Sequence, residues 1–223
     1  MIIPAAGSGS RMQQVIPKQY LLLKGVAVIE HTLALFLDRS DFKGVRVCLA
    51  PDDTVFSTLK SSQHSKVSAI DGGDTRAQSV LNGLRSLDAA DDDWVLVHDA
   101  ARPCLSKKAL DSLLSEVKRN NVGGILAMPA KDTLKRADAD KNIDETVDRS
   151  VIWQAQTPQI FSYKLLLNCL ERALADGLTI TDEASALEAY GHKVKLVKSN
   201  ARNLKITTPE DLELAEFLLT KSS

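Results

Sequence analysis

The sequence predicts an α/β protein built on a mostly parallel sheet with helices on both faces. Three observations carry this. Strand-like and helix-like segments alternate along most of the chain. The run WVLVH at 94–98 is continuously apolar, as expected of a strand covered on both sides. The 223 residues, 44% of them hydrophobic, suffice for one substantial core, so a single domain spanning 1–223 is expected.

Each element has its own signal. Ile2-Ile3 reads as the end of a short strand, and VIEHTLALFLD (28–38) as a helix. GVRVCLA (44–50) is a β-branched strand bounded by Gly44 and Pro51, and KVSAIDGG (66–73) is another short strand. DTRAQSVLNGLRSL (74–87) places Ala77, Val80, Leu81, Leu84 and Leu87 on one helical face, with Asp74 as the expected N-cap. SKKALDSLLSEVKR (106–119) carries an apolar stripe at Ala109, Leu110, Leu113, Leu114 and Val117. GGILAMP (123–129) and KVKLVKS (193–199) read as strands, and residues 162–177 as a helix ending at Gly177. TPEDLELAEFLL (208–219) opens with Thr208, Pro209 and Asp211, a strong helix start.

Residues 130–158 break the alternation: polar, charged and long for an inert loop. They read either as a solvated disordered stretch or as a projecting β-arm. Partial alternation in TVDRSVIWQAQ and the apolar Ile152 and Trp153 favour the arm.

Composition excludes several classes. With 28 Lys+Arg against 29 Asp+Glu, the net charge of −1 offers no bulk field for nucleic acid or an anionic membrane. Cys48, Cys104 and Cys169 form neither a disulfide framework nor a zinc site. His31, His64, His98 and His192 lack ligand spacing. No apolar run reaches the roughly 18 residues that span a bilayer, and Arg11 precedes any apolar core a signal peptide would need. A soluble protein of the reducing cytoplasm is expected.

In such sheets ligands sit beyond the carboxyl ends of strands. Three motifs fall there: residues 5–11, Gly72-Gly73-Asp74 and 99–103. In PAAGSGSRM, Gly7 and Gly9 allow close backbone approach to a phosphate, and Arg11 supplies charge. The pattern is neither a P-loop nor a complete G-x-G-x-x-G. Pro17 restricts Ile16 to extended geometry, which holds Lys18 in place. In VHDAARP, Asp99 and Arg102 follow a buried strand; Asp99 reads as a cap, a ribose contact or a ligand for phosphate-bound Mg²⁺. His98 is expected to point into the packing. DGGDTRAQS brings Gly73, Asp74, Arg76 and Ser79 to a strand end and the first helical turns. In ITDEASALE, Thr181 reads as a helix cap able to bind a phosphate. Lys205, in NLKIT, reads alone as a solvated cation.

Taken together, PAAGSGSRM, PKQY, DGGDTRAQSV, VHDAARP, DT at 132–133, TVDR, TPQ, TDEASALE and NLKITTPEDL occur in one order along the chain. This series resembles the 2-C-methyl-D-erythritol 4-phosphate cytidylyltransferase family over essentially the whole chain. The resemblance implies a three-layer Rossmann-like nucleotidyltransferase fold, a homodimer clasped through residues 130–158, and dependence on Mg²⁺. It implies CMP transfer from CTP to 2-C-methyl-D-erythritol 4-phosphate in non-mevalonate isoprenoid synthesis. Arg11 and Lys18 would be the catalytic triphosphate cations. Ala5, Ala6, Gly7, Gly9, Gly73, Asp74, Ser79, Asp99 and Ala100 would contact CTP. Arg102, Thr181 and Lys205 would hold the polyol phosphate, with Thr133 and Arg149 from a partner subunit's arm. Asp99 is the candidate metal contact, most of the Mg²⁺ shell being CTP phosphates and water. Only Met1, Ile2 and Ile3 precede Pro4, where the family has several more residues, so a short first strand is expected.

The implied nucleophile, a phosphomonoester with a second pKa of about 6, is mostly dianionic at neutral pH and needs no general base. The sequence shows none. A cytidylyltransferase for ribitol 5-phosphate is the nearest alternative. A sugar-1-phosphate nucleotidyltransferase and a non-catalytic nucleotide-binding module lie further off.

Overall fold

The computed structural model describes residues 1–7 and 16–221. In chain order, β1 (Ile2–Pro4) precedes a small hairpin of β2 (Leu22–Leu23) and β3 (Val26–Ala27). The hairpin turns at Lys24 and Gly25, both at positive φ, 50° and 77°. Next come α1 (Val28–Leu37), β4 (Val45–Leu49), β5 (Val67–Asp71), α2 (Arg76–Arg85), β6 (Trp94–Val97), α3 (Lys107–Asn120) and β7 (Gly124–Pro129). A second hairpin, β8 (Leu134–Ala137) and β9 (Ile143–Val147), projects before β10 (Trp153–Ser162). The chain ends with α4 (Tyr163–Ala175), α5 (Glu183–Glu188), β11 (Lys195–Lys198) and α6 (Pro209–Thr220).

Seven strands form the main sheet in the order β11-β7-β10-β6-β1-β4-β5. All neighbours are parallel except β10, which runs against both β6 and β7. The predicted parallel α/β architecture is therefore observed. The chain winds from β1 outward through β4 to β5, then returns to β6 on the other side of β1. The strand order reverses between β1 and β6, which is where such sheets open a ligand crevice.

Side-chain alternation builds the layers. Ile3, Val45, Val47, Leu96 and Leu126 face α1 and α3 and pack with Ile29, Leu33, Phe36, Leu110 and Leu113. Ile2, Cys48, Val95, Val97 and Ile125 face the other way, onto α2, α4 and α5 through Val80, Leu84, Leu166 and Leu170. Ile2, Ile3, Leu33 and Phe36 are fully buried; each such side chain contributes about 1.5–3 kcal/mol by leaving water. β1 is short, as expected, yet lies inside the sheet between β6 and β4, with Ile3 opposite Val47 and Ile2 opposite Val97. A third cluster seats α6 on the β2–β3 hairpin through Leu21, Leu23, Ile206 and Ala215.

Residues 130–158 divide. Residues 134–147 form the hairpin, but Trp153 onward belongs to β10 in the main sheet. Two predicted caps shift. Thr75, not Asp74, caps α2, its side chain accepting from the Gln78 N–H. Asp182, not Thr181, caps α5 in a reciprocal box with Ser185.

Candidate active site

At the reversal between β1 and β6 lies a cavity of about 170 Å³. Its walls are Ala5, Ala6 and Gly7 after β1, Lys18 and Gln19, then Gly73, Asp74, Arg76 and Ser79, then Asp99 and Ala100 after β6, and Lys205. A second cavity, of about 240 Å³, is lined by Arg76, Asp99, Arg102, Gln156, Thr157, Gln159, Thr181, Asp182 and Lys205. Arg76, Asp99 and Lys205 belong to both. The topology explains these neighbours. Because β10 is antiparallel to β6 with Gln159 opposite Val97, Gln156 and Thr157 reach past the end of β6. Because β11 is parallel to β7, the following loop carries Asn203 and Lys205 to the same end of the sheet.

Lys18 opens a single 3-10 turn, Lys18–Tyr20, whose next two residues are tied down. The Gln19 amide donates to the Ala5 carbonyl at 2.8 Å, and the Tyr20 hydroxyl donates to Asp53 at 2.5 Å. Asp53 also accepts the Val55 and Phe56 N–H groups. Burial and the Asp53 carboxylate together raise the Tyr20 phenol's pKa, so it stays a donor. On the opposite wall, Gly72 lets two loops touch. A Cβ there would lie 2.6 Å from the Ala6 Cβ and 2.9 Å from the Leu49 carbonyl oxygen. The glycine that admits close approach is thus fitted against the β1 loop. Ser79 is buried and locks the same turn, accepting from the Gly73 N–H at 3.0 Å and donating to the Thr75 carbonyl at 3.0 Å.

Asp99 is the electrostatic centre. Its Oδ1 accepts from Arg76 Nε at 3.2 Å, and its Oδ2 meets Arg102 Nε at 3.1 Å and Lys205 Nζ at 3.0 Å. Burial alone would raise this carboxyl's pKa, but the charges of Arg76, Lys205 and Arg102 outweigh it and hold it well below the usual carboxylate range. Arg102 also donates to the Asn203 carbonyl at 2.7 Å. Beneath them, His98 is fully buried. Its Nε2 faces the Arg102 carbonyl at 3.2 Å, which can only accept, so Nε2 carries the ring proton. Nδ1 then accepts from the Thr157 hydroxyl at 3.0 Å, while Thr157 accepts the Asp99 N–H at 3.0 Å. Burial lowers the His98 pKa to about 4, with the charges of Asp99 and Arg102 acting in opposite directions. The imidazole is neutral and engaged at both nitrogens; it holds the 99–102 turn from within the packing.

Most of the sequence-predicted residues therefore converge: Ala5, Ala6, Gly7, Lys18, Gly73, Asp74, Ser79, Asp99 and Ala100 on the first cavity, Arg102 and Thr181 on the second, and Lys205 on both. Gly9 and Arg11 lie outside the described residues. Thr133 and Arg149 do not reach their own chain's cavities; they flank the open end of the arm hairpin, where Leu134 pairs with Val147. Lys205, read from sequence as solvated, is held on Asp99. Sequence reasoning missed Gln19, Gln156, Thr157, Gln159 and Glu183. Glu183 opens α5, where an acid has a local explanation as a first-turn residue, yet it is buried at 1% exposure against Arg76. The apolar-polar mix of TPQIF, lodged in a sheet, is the signal that polar side chains there serve a site.

The donor set bears on a metal. Among the described residues no group of three or more His, Cys, Asp or Glu could hold a metal ion. Both Asp99 oxygens are occupied by cations. The described residues therefore offer no many-ligand protein cage, and Asp99 stands as a single carboxylate contact, which suits an ion held mainly by a ligand's own oxygens and water.

A mostly parallel α/β sheet that opens two neighbouring, cation-rich cavities at its reversal point is the setting of a phosphate-handling α/β protein, and comparison with known proteins makes it a nucleotidyltransferase. A family profile described as 2-C-methyl-D-erythritol 4-phosphate cytidylyltransferase matches residues 1–221. The enzyme of that name from Klebsiella pneumoniae is 51% identical over 222 residues, covering 99% of this chain and 93% of its own. That from Pseudomonas syringae pv. tomato is 52% identical over 219 residues, covering 95% and 91%. The crystal structure of the Francisella tularensis cytidylyltransferase superposes with a TM-score of 0.86 at 38% identity, covering 97% of each chain. A 4-diphosphocytidyl-2C-methyl-D-erythritol synthase structure gives 0.84 at 40%, covering 98% and 96%. The chain belongs to the 2-C-methyl-D-erythritol 4-phosphate cytidylyltransferase family.

Proposed function

We propose that this chain transfers CMP from CTP to 2-C-methyl-D-erythritol 4-phosphate, forming 4-diphosphocytidyl-2-C-methyl-D-erythritol and pyrophosphate. The observation that carries this reading is the pair of contiguous cavities sharing Arg76, Asp99 and Lys205, one beside Lys18 and one beside Arg102. The nucleoside of CTP occupies the first, against Ala5, Ala6, Gly7, Gly73, Asp74, Ser79, Asp99 and Ala100; Gly9 is assigned to CTP from the sequence alone. The polyol phosphate occupies the second, on Arg102, Thr181 and Lys205.

A phosphate oxygen of the polyol phosphate attacks the α-phosphorus in line. The new P–O bond forms as the bond from the α-phosphorus to its bridging oxygen breaks, and pyrophosphate leaves with that electron pair. The phosphomonoester is already ionised near pH 7, so no side chain needs to take a proton. The main obstacle is repulsion between two polyanions, which Lys18 at the cavity wall offsets, with Arg11 assigned the same task from the sequence alone. Mg²⁺ bound with the nucleotide would offset part of the triphosphate charge, with Asp99 as the candidate protein contact.

The arm supplies the rest. Thr133 and Arg149 stand at its base, and Ile143 and Val151 are exposed along it, an arrangement suited to a homodimer in which each arm completes the partner's polyol site. Three buried free cysteines fit a reducing cytoplasm. Pyrophosphate release is the test, using CTP with 2-C-methyl-D-erythritol 4-phosphate or with ribitol 5-phosphate. Release with the first alone is expected; equal release with ribitol 5-phosphate moves the assignment to that alcohol. Mixing Lys18→Ala with Arg149→Ala subunits tests the shared site. Random dimers of the two carry one intact site in the mixed pairs, so about a quarter of wild-type activity should return.

A further inference from the structure

Arg76 is given no task by the mechanism above, yet all three of its guanidinium nitrogens are committed to two carboxylates. It is the first residue of α2, whose start forms one wall of the nucleotide cavity. Its guanidinium makes a two-pronged contact with Glu183, Nη1 to Oε1 at 2.7 Å and Nη2 to Oε2 at 3.1 Å. The remaining Nε donates to Asp99 Oδ1 at 3.2 Å. Glu183 is the first residue of α5, and Thr181 and Asp182 of the polyol cavity immediately precede it. That helix start is fixed by Gln159, whose amide donates to Asp182 at 2.8 Å and accepts the Ala184 N–H at 2.9 Å. One side chain thus ties together the wall of the first cavity, the carboxylate between the cavities and the wall of the second.

We propose that Arg76 is a positioning residue that couples the two substrate cavities, setting the gap between the α2 and α5 helix starts and the orientation of Asp99. This rests on the function proposed above. A planar fork suits the task in a way an ammonium does not, because three N–H groups in one rigid plane satisfy three fixed oxygens. Burial alone would lower the Arg76 pKa, but Glu183 and Asp99 raise it above the usual arginine range. The fork therefore stays charged whether the cavities are empty or filled. Any shift of the nucleotide wall is felt by the polyol wall through this link, and by linkage the reverse holds.

The test uses Arg76→Lys and Glu183→Gln, singly and together, in the full chain, with melting curves to establish folding. Expected in each single variant is a rise in KM for the polyol phosphate of about 10-fold or more, within the range typical of coupled sites. For Glu183→Gln, which lies outside the nucleotide cavity, CTP affinity titrated in the absence of the polyol phosphate should stay within about 3-fold of wild type. The double variant should be no worse than the poorer single, because both remove the same link. Unchanged polyol KM with only a lower melting temperature overturns the coupling, as does an equal loss of CTP affinity in Glu183→Gln. Should Arg76→Lys fail to fold, Glu183→Asp, which keeps the charge but shortens the reach, must raise the polyol KM in the same direction or the inference is lost. If the wild type releases no pyrophosphate from these two substrates, the proposed function falls and takes the coupling with it. An active wild type with unaltered variants removes the coupling alone.

Discussion

The floor of the site and the arm use the same residue types to opposite effect. In the floor, Arg76 and Glu183 meet at 2.7 Å with side chains 28% and 1% exposed. On the arm, Arg136 and Glu145 meet at 2.8 Å with side chains 63% and 50% exposed. The distances are alike; the surroundings are not. Water screens the arm pair, and holding two long side chains together there costs nearly what it gains. Breaking the floor pair strands a carboxylate inside the protein. Geometry alone therefore does not rank ion pairs, and the floor is where charge is held rigid enough to organise polyanions.

Four measurements break or sharpen this contrast. The largest effect is expected for a cation proposed to touch the reacting phosphates. Lys18→Ala should lower kcat by about 10²–10³, roughly 3–4 kcal/mol of transition-state stabilisation, with a much smaller change in KM for CTP. A variant retaining near wild-type kcat removes Lys18 from the mechanism. Next, Arg76→Ala should reduce unfolding free energy in urea by about 3 kcal/mol, the low end for a broken buried pair because the arginine is partly exposed. A loss no larger than that of a surface substitution contradicts the contrast drawn here.

His98 gives a pH signature. The folded pKa of about 4 lies below the ordinary 6.5, so the unfolded chain binds the proton more readily. Stability from the neutral ring is fully present above pH 6.5 and declines as pH falls toward 4, by up to about 3 kcal/mol. The stability deficit of His98→Gln should accordingly be greatest near pH 7 and shrink towards pH 4; a deficit independent of pH would show that the ring is not held neutral. Smallest of all, Arg136→Ala on the arm should leave the melting midpoint of the isolated chain unchanged within error.

Much of the architecture was legible because burial on both faces writes itself as uninterrupted apolar runs. WVLVH and GVRVCLA could hardly be anything but interior strands. β10 was not legible, and for a physical reason. Gln156, Thr157 and Gln159 are buried there because they furnish hydrogen bonds to Asn200, Asp99, His98, Asp182 and α5, so the strand reads as polar linker. Its irregular pairing between Ala155 and Gln159 further disrupts alternation. The Lys24-Gly25 hairpin is too short to display a period. The site was legible where loops follow strands, since topology alone sends 5–7, 73–79 and 99–102 to one edge. The Arg76–Glu183 link joins residues 107 positions apart; no local pattern announces it, and an acid in a helix's first turn has a sufficient local explanation. Asp74 and Thr181 were displaced as caps by Thr75 and Asp182, adjacent residues that are all accepted N-caps, so residue type alone does not fix which one the helix uses.

A histidine with both ring nitrogens committed is a spectator to proton traffic. The acidic side of this catalyst's working range would then be borrowed from its guest: the phosphate it accepts decides, through its own second ionisation, when it is ready to attack. An analogue with a more basic phosphonate in that place should move the onset of turnover to higher pH, a displacement that no replacement of the imidazole would reproduce.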